Sequence, residues 1–123
     1  GKKGGVGENV KIWFEDKVAF RAMILVAGCA EDDDAWEANH RIKAFTLEFS
    51  SGETVKVDRT KPLEVEPPVM GIKEIPLGQT KGAVQTIILF EEGFSSRNVQ
   101  ITINDLDKAK KGQKVCLSEV MVF

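Results

Sequence analysis

The 123-residue chain has no tyrosine, one histidine, two cysteines and four prolines. Without tyrosine it lacks the residue most used on adaptable binding surfaces, so aromatic contacts fall to Trp13, Trp36 and seven phenylalanines. Cys29 and Cys116 are too few for a disulfide framework, and nothing around them has the paired spacing of a zinc site. Buried thiols are the simpler reading and a Cys29–Cys116 bridge the alternative. Neither sign of charge dominates, with 17 Lys and Arg against 19 Asp and Glu and a net charge of -2. No basic excess therefore draws the chain toward nucleic acid or acidic membrane. The longest apolar run, AMILVAGCA, falls well short of the roughly 20 residues of a spanning helix, and no membrane insertion is expected. Helical periodicity is scarce as well. Asp105 to Lys111, stopped by Gly112, has too few apolar residues to bury a face and reads as a loop.

What is present is alternation. Val10, Ile12 and Phe14 alternate with Lys11, Trp13 and Glu15, and the series Val18, Phe20, Ala22, Ile24 and Val26 continues on one face, which predicts two strands. Phe45, Leu47 and Phe49 share a face, followed by a turn at Ser50–Glu53 and by Val55 and Val57; this is a hairpin with glycine where a positive φ is tolerated. VQTIILF, NVQITIND and KVCLSEVMVF repeat the β-branched signature. Residues 59–84 hold all four prolines and read as a long connection with one or two short edge strands. About eight short strands and no helix predict one antiparallel jelly-roll sandwich over residues 1–123.

The chemistry-bearing residues concentrate in CAEDDDAWEANHRIKAF, residues 29–45. Asp32, Asp33 and Asp34 lack the alternating ligands, central glycine and closing glutamate of an EF-hand loop, and read first as a solvated acidic loop. His40 has no GxSxG elbow and no nucleophilic cysteine to serve. A carboxylate pair can be chosen from any chain with 19 acids, so glycoside cleavage gains no support. The glycines of GKKGGVGENV match neither phosphate-loop pattern. Lys108, Lys110, Lys111 and Lys114 have no aromatic between Phe94 and Phe123 on which a base could stack. No enzyme is expected. Trp13 faces away from Ile12 and Phe14, toward the second side of its sheet, whereas Trp36 sits among polar residues with no alternating partner.

GVGENVKIWF, the apolar strand ending at Gly28, ANHRIKAFTLEFSSGETVKV and KVCLSEVMVF together resemble the discoidin-like, galactose-binding-type jelly roll found beside bacterial NAD glycohydrolase toxins and in other bacterial surface proteins. The most specific pieces are Asn39-His40-Arg41-Ile42-Lys43 and Cys116-Leu117-Ser118-Glu119-Val120. The resemblance implies a secreted or cell-surface, non-catalytic module whose end loops meet ligand, so that residues 29–41 form a binding rim. Carbohydrate suits this rim: Trp36 can pack on a sugar's C–H face, while Asp33, Asn39, His40 and Arg41 exchange hydrogen bonds with hydroxyls. Asn39 and Arg41 can equally fix the backbone at a strand entrance. The alternative is a structural or protein–protein interaction module of a larger protein.

Two further expectations come from the resemblance. Related jelly rolls hold a structural calcium between the last strand and an early loop, which makes Glu119 a candidate ligand, with a hydrogen bond to Ser118 or loop backbone as the alternative; no other cofactor is expected. Family members also begin with an additional strand before the G-x-G-E segment, which implies truncation at the N-terminal side or a second polypeptide that supplies the strand.

Overall fold

In a computed structural model, described over residues 7–26, 28, 41–61, 65–78, 84–107 and 119–123, the alternation resolves into eight strands, and no helix occurs among the described residues. They are β1 (Asn9–Ala19), β2 (Ala22–Val26), β3 (Arg41–Phe49), β4 (Thr54–Asp58), β5 (Val69–Pro76), β6 (Val84–Phe90), β7 (Ser95–Asp107) and β8 (Glu119–Val122). Sheet A has the order β1-β7-β3-β4 and sheet B the order β5-β6-β2-β8, with antiparallel pairing throughout. Only β3–β4 and β5–β6 are neighbouring hairpins; every other connection changes sheets, which gives the jelly roll its two-layered wrap.

Inward-facing residues fill the space between the layers. Phe45, Leu47, Val99 and Ile101 of sheet A meet Met23, Leu25, Ile88 and Phe90 of sheet B, each at most 3% exposed. At one end this core becomes aromatic. The ring of Phe20 makes edge contacts with Phe14, Phe49, Phe90 and Phe94 at centroid distances of 5.6–5.9 Å, while Phe90 and Phe94 stack at 5.2 Å.

The predicted hairpin forms as read. Phe45 pairs with Val57 and Leu47 with Val55, and Gly52 takes φ +95° in the turn, where a side chain would be strained. The second long strand differs from expectation. Alternation assigns Val18, Phe20, Ala22, Ile24 and Val26 to one face, but the chain leaves sheet A at Ala19 and enters sheet B at Ala22. Between them the Phe20 amide donates to the Phe94 carbonyl at 2.9 Å and the Arg21 amide to the Phe123 carbonyl at 2.6 Å. The crossing reverses the phase, so Met23 and Leu25 point inward and Ile24 outward. The proline-rich connection contains β5, an eight-residue edge strand, and Pro76 sits at its end, where no ladder donor is lost. Asp105–Asp107 continue β7 as strand.

Candidate functional site

The two ends of the sandwich differ in what reaches them. At the aromatic end lie the β3–β4 turn and the β6–β7 turn. The opposite end receives the long connections. Val26, the last residue of β2, pairs with Glu119, the first of β8, and Arg41, the first of β3, pairs with Asp107, the last of β7. Segments 27–40 and 108–118 therefore start and finish at paired residues, one pair in each sheet, on one rim. Pro76 and Val84 bring the β5–β6 connection to the same end.

Of the residues singled out in the sequence, Asp33, Trp36, Asn39 and His40 lie outside the described residues, as do Cys29 and Cys116. Arg41 and Glu119 are brought to the rim as backbone positions in opposite sheets, at the entrances of β3 and β8. Among the described residues no group of three or more His, Cys, Asp or Glu is arranged to hold a metal ion.

The described part of the rim is held by a polar cluster that spans both layers. Arg59, immediately after β4, directs Nε to Glu74 Oε2 at 2.8 Å and donates from Nη1 to the Ile42 carbonyl at 3.1 Å. Glu74 faces inward on β5 beside its cross-strand partner Thr86, whose hydroxyl donates to the same carboxylate oxygen at 3.3 Å. Thr86 is fully buried, and the Arg59 and Glu74 side chains are 17% and 26% exposed. A paired charge of this kind is tolerated only when its partners are fixed. The cluster thus ties β4 to β5 across the layers and holds the backbone one residue past Arg41. Sequence reading missed it because Arg59 and Glu74 both fall in the proline-rich stretch; the usable signal was a glutamate in phase with Ile72.

Asp58 closes the turn after β4. Its carboxylate accepts from the Thr60 hydroxyl at 2.5 Å and the Thr60 amide at 2.9 Å. These hydrogen bonds, the hydroxyl first, hold its pKa below the ordinary 3.8, with Lys61 and Lys43 adding a smaller pull. A carboxyl with a lowered folded-state pKa supports the fold above its unfolded value and loses that support as pH falls through the folded value. The turn therefore weakens only in acid, below pH 3.8.

Two open cavities lie away from this rim. One of about 400 Å³ is lined by Thr54, Lys56, Glu66, Pro67 and Ile72 between the edges of β4 and β5. Another of about 450 Å³ lies around Glu53, Pro67, Glu91, Glu92 and Phe94 at the aromatic end. Neither contains a nucleophile paired with a base, and the described rim offers hydrogen-bonding and ionic groups suited to recognition.

The family described as the NAD glycohydrolase translocation F5/8 type C domain matches over residues 1–123. Among solved structures, the chain is similar to the Streptococcus pyogenes NAD+-glycohydrolase translocation domain, determined by NMR, with a TM-score of 0.61 and 16% sequence identity over 97% of this chain and 88% of that one. At that identity the likeness shows a shared fold. No curated protein sequence matches the chain. The chain belongs to the NAD glycohydrolase translocation F5/8 type C domain family.

Proposed function

We propose that this member of the NAD glycohydrolase translocation family is a non-catalytic binding module of a secreted or cell-surface protein, and that it engages carbohydrate at the loop rim. The observation that carries the reading is the double pairing of Val26 with Glu119 and Arg41 with Asp107, which anchors both ends of the segment bearing Asp33, Trp36, Asn39 and His40 at one end of the sandwich. Trp36 supplies a ring for a pyranose face, and Asp33, Asn39, His40 and Arg41 supply donors and acceptors for its hydroxyls. The family's description as a translocation domain supports an exported parent protein.

The test is a glycan array with wild type and Trp36→Ala. Loss of a stacked ring weakens binding by about tenfold, equivalent to about 1.4 kcal/mol. Binding that survives the substitution unchanged removes Trp36 from the site. Glu119 enters as the candidate ligand for a structural calcium. A calcium ion held there raises the melting temperature, and chelator lowers it; identical melting curves with calcium and with chelator would remove Glu119 from that role.

One observation favours a protein-interaction role as the second reading. In an antiparallel sandwich the outward residues are normally polar. On the outside of sheet B, however, Ile24 pairs with both Ile87 and Met121, and Ala22 pairs with Leu89. Their cross-strand faces point away from the core formed by Met23, Leu25 and Ile88. Under this reading Ile87→Lys abolishes association measured by sedimentation while melting stays within a few degrees of wild type, since the site is outside the core. Unchanged sedimentation would exclude this face.

A further inference from the structure

The outer face of sheet A carries a second surface, built by register alone. Trp13 stands across from Asn98, Lys11 from Gln100 and Asn9 from Thr102, all on the side opposite the core. Two features depart from an ordinary solvated face. Trp13 is 66% exposed, although Ile12 and Phe14 on either side of it pack toward the core. A large aromatic held in water gains little from folding. Asn98, directly opposite, is only 8% exposed. Its backbone carbonyl accepts from Ser96 Oγ at 2.7 Å, but no hydrogen bond to its side-chain amide is found among the described residues. A side-chain amide placed there can both donate to and accept from a bound hydroxyl.

The chemistry around these two residues selects the occupant. Asn9, Gln100 and Thr102 are neutral donors and acceptors, and Lys11 is the one charge among the six, its ammonium 4.6 Å from the centre of the indole ring. A single cation is too little for a phosphate backbone, and one aromatic is too little for an apolar protein interface. An aromatic ring beside neutral amides and hydroxyls complements an uncharged polyol, whose C–H face packs on the ring while its hydroxyls exchange hydrogen bonds with the amides. Along β1 and β7 the pairs Asn9–Thr102, Lys11–Gln100 and Trp13–Asn98 recur every second residue, a strip about 14 Å long that suits linked rings, bordered on the β3–β4 side by Glu48 beside Gln100 and Lys56 beside Thr46.

We infer that Trp13, Asn98 and Gln100 form a second carbohydrate-binding surface, on the face of sheet A, for a linear uncharged glycan. The inference rests on the carbohydrate reading for its ligand class and is independent of the end loops. Cellohexaose, maltohexaose and the hexamer of N-acetylglucosamine are titrated into the full chain, with wild type, Trp13→Ala, Trp13→Phe and Trp36→Ala followed by calorimetry and tryptophan fluorescence. Trp13→Ala is expected to weaken binding of at least one hexasaccharide tenfold or more at an unchanged melting temperature, and Trp13→Phe to restore part of it, whatever Trp36→Ala does. Full affinity in Trp13→Ala overturns the sheet surface, and if Trp36→Ala alone loses binding, the end-loop reading stands without it. Failure of the wild type to bind any of the three overturns the sheet surface, while binding of other glycans on the array would keep the carbohydrate reading alive.

Discussion

Replacing Phe20 with alanine is expected to lower stability by about 3–5 kcal/mol, the range for removing a buried phenylalanine ring. Phe20 is 1% exposed and touches four other rings, Phe14, Phe49, Phe90 and Phe94. Each edge-to-face pair adds about 0.5–1.5 kcal/mol beyond area burial, so the loss falls in the upper part of that range. The same residue bridges the layers through its backbone, since the chain passes from sheet A to sheet B beside it. Against a total of about 5–15 kcal/mol for a domain, such a loss leaves the fold marginal. The melting midpoint should drop by roughly 10 °C or more, with Phe20→Leu retaining most of the stability. A drop of only a degree or two in circular dichroism melting would show that the remaining four rings close the gap.

Removal of Glu74 acts differently, through a stranded charge. Glu74→Ala leaves the Arg59 guanidinium, 17% exposed, with the Ile42 carbonyl as its one remaining partner among the described residues, and leaves the buried Thr86 hydroxyl without its Glu74 acceptor. Uncompensated buried groups of this kind cost about 2–3 kcal/mol. The double variant Arg59→Met with Glu74→Leu removes both charges and should recover most of that loss, because an apolar pair of similar size carries no desolvation penalty. Urea denaturation midpoints for the two single variants and the double variant decide the matter. Additive losses would mean that the pair is screened by water, as exposed pairs are.

Some of this architecture was legible in the sequence because period-two alternation is a local property. Phe45, Leu47 and Phe49, the turn at Gly52, and Val55 and Val57 announce their hairpin without reference to the rest of the chain. The passage between sheets at Phe20–Arg21 was not legible. The alternation runs unbroken through it, and what changes is the hydrogen-bond partner, Phe94 and Phe123, residues distant in sequence. An edge strand in the proline-rich stretch was legible from proline's missing donor, but its place and its eight-residue length were not, because they are set by the pairing with β6. At the rim, Arg41 begins β3, at the strand entrance expected from the N-x-R pattern, whereas Glu119 is the first residue of β8 although the alternation of KVCLSEVMVF had put it within the last strand. The Arg59–Glu74 contact could not be read, because it depends on how the edge of one sheet lies over the edge of the other.

The strand β1 carries a consequence of its own. It lies at the margin of sheet A, and its ladder to β7 runs from Asn9 to Trp13, is broken by a register shift, and resumes only at Val18. The interruption holds Glu15, Asp16 and Lys17, all exposed. A foreign extended polypeptide approaching this margin meets a straight template only from Asn9 to Trp13 before the backbone twists away and presents charge. Any donated strand must therefore be short and aligned to that one segment. Runaway fibre growth along the eleven-residue strand is blocked by the same kink.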